Sequence, residues 1–501
     1  MQSIKIFTTT FIIVVFSCSQ LISGEYNPLQ VHTFHLDNGL TVYLNEDHNT
    51  TSVFGAVAVR GGGKRDPQDA TGIAHYLEHL LFKGTDEMGT VDYEQEKVYL
   101  DSIQVKYDEL GTTTDETKRL AIQGEINRLS VKAGEFAIPN EFDRLVEGMG
   151  GAWINAFTSD DAIVYLNKFP GNQIEKWLEV YSHRFVNPVF RLFQSELETV
   201  YEEKNRAMDN MFRNLFVTYL KHFFKEHPYG QQTVLGSVDH LKNPSLTKMR
   251  EYYDTYYVAN NMALILTGDI YPDEILPLIE AKFGVWKSGE IPAPIDITEQ
   301  SFNGREKISR RMTPVKIGIM GYRTVPVGHD DEGALALSLQ LLTNESKTGL
   351  IDELVVDRKI MEAGAFNMDY VDMGAANFFF LPKLFFQSLT KAENLVRGQI
   401  DKLKSGDFDD EYFNAVKLTM LRQHEEYIES MEGRLFILTD LFIKNKTWED
   451  IVEWPGIIKN ISKEEVMEVA NTYFDDDYLV LHSKMGFPKK TKLEKPSFEP
   501  V

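Results

Sequence analysis

TGIAHYLEHLLFKGT, residues 71–85, carries two histidines four positions apart in a stretch whose apolar spacing predicts a helix. Side chains four apart on a helix lie on one face, one turn from each other. His75 and His79 can therefore both reach one tetrahedral Zn²⁺ ion. Glu78 shares their face and can reach a water molecule at that metal. The stretch predicts a zinc site; the simpler alternative is an amphipathic helix that happens to carry two histidines.

A second stretch, ELETVYEEKNR at residues 196–206, supplies the further ligand that a catalytic zinc site needs. It lies in a helix predicted over residues 193–213. Because seven residues make about two helical turns, Glu196 and Glu203 share a face. We predict Glu203 as the third ligand, and Glu196 as a group that hydrogen-bonds a ligand histidine or tunes the metal's water. Glu202 is the alternative ligand if the helix register is shifted by one residue.

The composition is that of a soluble globular protein with several domains. The chain has 501 residues, of which 43% are hydrophobic and 25% are charged, and this length suits two to four domains. Acidic residues outnumber basic ones by 75 to 52, giving a net charge of −23. Nucleic acid is excluded as a partner, because its phosphates need a basic face. The excess negative charge mildly favours cationic substrates, although a solvated acidic surface is the simpler interpretation.

The N-terminus is typical of a secretory signal peptide, predicted over residues 1–24. Lys5 provides a basic start, and residues 6–16 form an apolar run too short for a transmembrane helix. The chain's one cysteine, Cys18, follows that run as in a bacterial lipobox, so lipid attachment there is the alternative to simple cleavage. We expect export to the periplasm or the exterior, as a soluble protein or a membrane-anchored lipoprotein, with no disulfide in the folded part.

Short strands surround the histidine motif in the sequence. Residues 31–45 read as two strands joined at Asn38-Gly39, a strong hairpin signal. Residues 52–60, rich in small and β-branched side chains, predict a third strand. A further strand pair is predicted within residues 152–166. The histidine helix is thus expected to lie against a sheet.

Composition shifts divide the rest of the chain. Residues 25–286 are predicted to form a catalytic zinc-binding domain, interrupted by a charged helical hairpin at about 93–140 that is more simply a surface spacer than a substrate gate. A Pro- and Gly-containing linker is predicted at 287–304. A second α+β domain follows at 305–485, and residues 486–501 form a basic tail.

The two halves contain a weak internal repeat. GIAHYLEHLL at residues 72–81 aligns with GALALSLQLL at residues 333–342, and both follow a predicted strand and a loop. In that alignment His75 falls on Ala336, Glu78 on Leu339 and His79 on Gln340. The second copy has therefore lost every metal-binding group, and we expect one metal site, in the first half.

Several segments together resemble the pitrilysin/insulinase zinc peptidases, the inverzincins with an H-x-x-E-H motif. This family includes insulin-degrading enzyme, bacterial members and the mitochondrial processing peptidase. The resemblance covers about residues 31–485. The matching segments are HYLEHLLFKGT at 75–85, NAFTSDDAIVY at 155–165, ELETVYEE at 196–203, HPYGQQTVLGSVDHLKN at 227–243 and TGLIDELVVDRK at 348–359.

The resemblance implies an α+β fold of two similar domains, each an antiparallel-rich sheet flanked by helices, arranged as a half-clamshell. It also implies His75, His79 and Glu203 as ligands of one Zn²⁺ per chain, with Glu78 as the catalytic base. One departure is the sequence spacing between His79 and Glu203. It is 203 − 79 = 124 positions, which is longer than in the named members, and the helical insertion accounts for the difference.

The activity expected from the resemblance is zinc-dependent endoproteolysis of peptides or unfolded polypeptides. The substrate would add as a strand to residues 152–159, with Asn155 and Thr158 bonding its backbone; the alternative is that these two residues only end the strand. A different hypothesis is a non-catalytic core or assembly subunit that keeps the fold. Retention of all four site residues argues against it. Because members close a chamber from two such halves, we expect a second half, either another copy or a different chain.

Overall fold

The computed structural model describes residue 29 and residues 31–487. The predicted signal peptide, Cys18 and nearly all of the predicted tail lie outside these residues. Within the described part, none of the helices combines the length and the apolarity needed to cross a bilayer.

Strands of the described residues form two sheets. The first sheet contains β1 (Val31–His35), β2 (Thr41–Glu46), β3 (Ser52–Arg60), β4 (Ala152–Thr158), β5 (Ala162–Pro170) and β6 (Met262–Gly268). The second contains β7 (Arg305–Thr313), β8 (Ile317–Thr324), β9 (Glu362–Asp369), β10 (Gly374–Leu381) and β11 (Tyr478–Met485). The predicted hairpin at the start of the chain is present as β1 and β2, with Gly39 at φ 85° in its turn.

The two sheets have the same topology. The first has the strand order β1-β2-β6-β3-β5-β4 and the second β7-β11-β8-β10-β9. In each, one pair is parallel, β2 with β6 and β7 with β11, and the remaining pairs are antiparallel. Strand β1 is an addition at the edge of the first sheet. The predicted fold class, two similar α+β units with antiparallel-rich sheets, is therefore confirmed.

Helices flank both sheets. Those of the first half are α1 (Ile73–Leu80), α2 (Tyr93–Thr112), α3 (Glu116–Gly134), α4 (Glu141–Gly148), α5 (Ile174–Arg184), α6 (Phe193–Asp209), α7 (Met211–Phe223), α8 (Pro228–Gln231), α9 (Val238–Lys242), α10 (Leu246–Tyr256) and α11 (Pro272–Phe283). Those of the second half are α12 (Glu332–Leu342), α13 (Asp352–Val356), α14 (Leu389–Ser405), α15 (Asp410–Glu429), α16 (Met431–Ile443), α17 (Trp448–Asn460) and α18 (Lys463–Tyr473). Residues 287–304 contain neither helix nor strand.

One predicted helix ends earlier than expected, and the next, predicted from residue 215, begins earlier too. The expected helix over residues 193–213 ends at Asp209, and α7 begins at Met211. Asn210 between them is extended, and its side chain accepts a hydrogen bond from the Arg213 N–H, which is an N-cap. Ser430 does the same between α15 and α16. Each half thus bends a long helix at the corresponding point.

After each bend, the helix packs against the sheet of the other half. Helix α7 places Leu215, Tyr219 and Phe223 against the second sheet. Helix α16 places Leu438 and Phe442 against the first sheet. The other face of each sheet is covered by helices of its own half. Since apolar burial contributes about 25 cal/mol per Å², each half is stabilised by a helix that the other supplies.

Candidate active site

Helix α1 is fixed at its N-terminus by a buried carboxylate. Asp66 accepts hydrogen bonds from the backbone N–H groups of Gly72 (2.6 Å) and Ala74 (2.8 Å), groups that have no partner inside the helix. Burial raises the pKa of Asp66 to about 7, against the lowering effect of these hydrogen bonds. The helix that carries the histidines is therefore anchored on its first turn.

The predicted ligands meet at one point. Nε2 of His75 lies 3.4 Å from Oε2 of Glu203, and Nε2 of His79 lies 3.7 Å from the same oxygen. One ligand atom from each of the three residues lies within 4.8 Å of the others. Zinc bonds of about 2.0–2.2 Å in a tetrahedron separate ligand atoms by about 3.4 Å, so the trio fits a zinc ion. Glu202 is exposed and lies outside this group.

The protonation of His75 suits metal binding. Burial, together with the nearby His79, lowers the pKa of His75 to about 3, so its ring is neutral and has a free lone pair. Its Nδ1 is buried and has no hydrogen-bond partner among the described residues. Burial would lower the pKa of His79, but the hydrogen bond to Glu196 and the nearby carboxylates outweigh it and raise that pKa. Two imidazoles and one carboxylate form a donor set of catalytic zinc.

Glu196 lies behind the three residues that meet, next to His79. Its Oε2 is 3.3 Å from Nδ1 of His79, and its Oε1 is 2.7 Å from Nζ of Lys83. Burial would raise the pKa of Glu196, but His79 and Lys83 outweigh that effect and lower it. A carboxylate bonded to one ring nitrogen fixes the ring, so that the other nitrogen faces the ligand point. Glu196 therefore orients His79.

Glu78 lies beside the ligands at the base of a cleft. It is buried, and the Thr158 hydroxyl donates a hydrogen bond to its Oε2 at 2.5 Å. Burial raises the pKa of Glu78, against the lowering effect of that hydrogen bond. A carboxylate with a raised pKa accepts a proton more readily near neutral pH. The arrangement suits a general base, and Thr158 holds its carboxylate in place.

Strand β4 offers a free edge to the same cleft. It pairs with β5 and ends the sheet. The Ser159 N–H donates to Ala162 O at 2.8 Å and closes the hairpin. Because hydrogen-bonded positions alternate along an antiparallel pair, the backbone groups of Ala156 and Thr158 point to the free edge. The Asn155 side chain accepts from the Ala156 N–H at 2.9 Å, so Asn155 lies at this edge too.

The second half also lines the cleft, which the sequence did not predict. The cleft has a volume of about 1380 Å³ and lies between the halves. Residues of β9 and α16 line it opposite α1 and β4, and the Phe157 and Phe436 rings, from different halves, lie 6.5 Å apart. The lining residues from the second half include Met368, Asp369, Tyr370, Ile437, Asp440 and Lys444. No local motif marks these positions; the internal repeat of residues 72–81 and 333–342, which indicates two similar halves, was the available signal.

A buried polar network joins the halves beside the cleft. Nζ of Lys64 lies 2.7 Å from Asp161 of the β4–β5 turn and 2.7 Å from Asp372 of the β9–β10 turn. The Tyr229 hydroxyl donates to Asp161 at 2.7 Å. Burial would raise the pKa of Asp372, but His227 and Lys64 outweigh it and lower that pKa to about 2. His227 and Tyr229 of the HPYG segment thus help to hold the hairpin of β4.

A second buried network shapes the loop after α1. The Arg191 guanidinium, 1% exposed, pairs with the fully buried Glu96 at 3.0 Å. It also donates to the carbonyl oxygens of Lys83 (2.7 Å) and Thr85 (2.6 Å). Gly84 between them is in the left-handed region at φ 95°, where a Cβ would collide with a backbone carbonyl. Arg191 thereby holds in place the loop that presents Lys83 to Glu196.

Comparisons with known proteins identify the family of the chain. A family model described as "Insulinase (Peptidase family M16)" matches residues 41–98 and 126–235, leaving out part of α2 and α3. A model described as "Peptidase M16 inactive domain" matches residues 245–420. The chain belongs to the insulinase family of peptidases, family M16.

Among curated relatives, zinc protease PqqE of Helicobacter pylori is 24% identical over 458 residues, covering 88% of this chain and 89% of that protein. The mitochondrial-processing peptidase subunit beta of Saccharomyces cerevisiae is 23% identical over 266 residues, covering 52% of this chain and 46% of its own.

Solved structures share the fold. A protease from Helicobacter pylori superposes with a TM-score of 0.74 at 21% identity, covering 91% of this chain and 100% of that one. The periplasmic protease PqqL from Escherichia coli superposes with a TM-score of 0.70 at 16% identity, covering 95% of this chain and 52% of its own. Pitrilysin gives a TM-score of 0.69 at 16% identity, covering 93% of this chain and 46% of its own.

Proposed function

We propose that this chain is a zinc-dependent endopeptidase that hydrolyses peptide bonds in peptides or unfolded polypeptides. The observation that carries the proposal is the meeting of His75, His79 and Glu203 at one point, with Glu78 beside them on a cleft. The free edge of β4 runs along the same cleft. A metal site, a base and a peptide-binding edge in one place are what peptide hydrolysis requires.

The residues have separate roles in the proposed reaction. An extended substrate pairs with the outward backbone groups of Ala156 and Thr158, and the Asn155 side chain releases the Ala156 N–H to it. A bound zinc ion supplies a Lewis acid that activates the attacking water and polarises the scissile carbonyl. Glu78 takes the proton from that water and passes it to the leaving amine. Glu196 keeps the His79 ring aligned throughout.

The other candidate is a non-catalytic core or assembly subunit with the same fold. Such a subunit needs neither ligands nor base. The first half of this chain brings all four residues together at the cleft, whereas Ala336, Leu339 and Gln340 occupy the corresponding positions of the repeat in the second half. The observations favour catalysis in the first half.

Metal removal tests the proposal. We expect one zinc ion per chain by elemental analysis, loss of cleavage of an unstructured fluorogenic peptide on chelation, and recovery on adding Zn²⁺. Glu203→Gln should lose zinc and activity together, because it removes an anionic ligand. Glu202→Gln, its exposed neighbour, is the matched control and should keep both. Full activity after complete removal of zinc would refute the proposal.

We also propose that a second half closes the chamber around the substrate. The chain spans about half the length of the PqqL and pitrilysin chains, whereas it spans the whole of the Helicobacter pylori protease chain. The partner is a second copy or a different chain of the same fold. Light scattering coupled to the peptide assay should find the activity in an assembly with at least two halves. A monomer with full turnover would exclude this part of the proposal.

A further inference from the structure

An exposed apolar loop projects from the second half. It connects β10 to α14 and places Leu384, Phe385 and Phe386 in succession on the surface. Phe385 is 76% exposed, and Phe386 is held in the left-handed region at φ 63°. Single exposed apolar residues are common, but adjacent large ones mark an interaction site.

The loop is held in this conformation by one buried side chain. Gln387 accepts a hydrogen bond from the Lys383 N–H (2.6 Å) and donates one to Lys359 O (3.0 Å). The ammonium of Lys316 donates to Gln387 O at 2.9 Å. These bonds fix both ends of the loop and hold its tip in the projecting position.

Further apolar residues lie at the same end of the second sheet. Strand β11 ends at Met485, which is 54% exposed, and Phe487 follows at 75%. The Gly486 N–H donates to Thr313 O, which places this segment beside the end of β7. Strands β11 and β10 are separated only by β8, a distance of about 10 Å. The loop tip and the end of β11 therefore form one patch, which we call the sheet-end patch.

The sheet-end patch is surrounded by basic side chains. In the part of the chain that the structure describes, five of them form no ion pair with a carboxylate, although the chain carries a net charge of −23. Glu362 at the start of β9 and Asp357 are acidic residues near the patch, and Asp357 pairs with Lys359 at 2.9 Å. The unpaired basic residues are Arg310, Arg311, Lys316, Lys383 and Lys484. In sequence, Lys489, Lys490 and Lys492 follow soon after.

We propose that the sheet-end patch docks this protein on an anionic lipid surface. Phe385, Phe386 and Phe487 would enter the headgroup–acyl boundary, and the basic side chains would bind lipid phosphates. A second copy is a poor occupant, because a two-fold contact would bring the same basic residues together. Along β9 the patch lies at the start and the cleft at the end, about 23 Å away. The docked protein therefore keeps its cleft free.

A single-cysteine experiment tests the docking. Cys18 is the chain's one cysteine, so the Cys18→Ser protein can carry a polarity-sensitive fluorophore at Leu384→Cys or, as the matched control, at the exposed Leu120→Cys on α3. Phosphatidylcholine vesicles containing phosphatidylglycerol should shift the emission to the blue at 384 and leave it unchanged at 120. Pure phosphatidylcholine should give little shift. High salt should weaken binding.

Two further variants complete the test. Arg310→Gln and Lys484→Gln should each weaken vesicle binding about fivefold, the equivalent of about 1 kcal/mol per charge, and should leave cleavage of a soluble peptide unchanged. An equal shift at both labelled positions, or binding that ignores lipid charge, would overturn the proposal. So would a Phe385→Ser/Phe386→Ser protein that changes its molecular mass in light scattering but not its vesicle binding, since the patch would then contact protein.

Discussion

Glu78→Gln is expected to lower the rate of peptide hydrolysis about 100- to 10,000-fold, the usual contribution of general acid–base catalysis. Glutamine has the shape of glutamate but cannot take up the proton of the attacking water. The fold should not suffer, because burial already raises the pKa of Glu78 and a neutral amide is less costly to bury than a carboxylate. The rate constant on an unstructured peptide, measured beside zinc content, gives the result.

Zinc content separates this prediction from loss of the metal site. We expect Glu78→Gln to keep its zinc, since the proposed ligand atoms belong to His75, His79 and Glu203. Glu198→Gln, on the same helix as Glu203 but on another face, is the control and should be as active as the unmodified protein. If Glu78→Gln is equally active, the assignment of the base is wrong, and a catalytic role for the cleft would need another proton acceptor.

Arg191→Met is expected to have the largest effect on stability, about 3–5 kcal/mol, as for other buried ion pairs that lose one partner. The change leaves the Glu96 carboxylate buried and unpaired, and it removes the donors of the Lys83 and Thr85 carbonyl oxygens. Zinc affinity should fall with stability, because this loop presents Lys83 to Glu196. Denaturant unfolding followed by circular dichroism measures the change in free energy.

Two control variants test whether the cost of Arg191→Met comes from the buried, unpaired carboxylate. Arg128→Met removes an exposed partner of Glu125 and should cost less than about 1 kcal/mol. Arg191→Met/Glu96→Met, which removes both charges, should be more stable than Arg191→Met alone, because no unpaired carboxylate remains. A cost below about 1 kcal/mol for Arg191→Met, or a double variant that is no better, would show that this pair does not hold the loop.

Local patterns predicted which of the candidate residues lie close together where their spacing is short. The i, i+4 histidines and the seven-residue spacing of Glu196 and Glu203 are helix geometry, and the structure has both. The helix break was predicted at residue 214 but lies at Asn210, because an N-cap within a long amphipathic run competes with tertiary contacts that sequence does not display. The residues opposite the site, such as Phe436 and Lys444, belong to a distant segment, and their approach depends on how the halves pack.

The packing of α7 and α16 against the sheet of the opposite half affects the order of folding. The strands of the first sheet are complete at Gly268, but the helix that covers the sheet's second face begins at Met431, 431 − 268 = 163 residues later. At about 5–20 residues per second, roughly 8–33 s of synthesis separate the two. An apolar face that includes Phe54 and Ile265 lacks its own cover during that interval. Such a face binds chaperones or aggregates, so the chain matures late and as one unit.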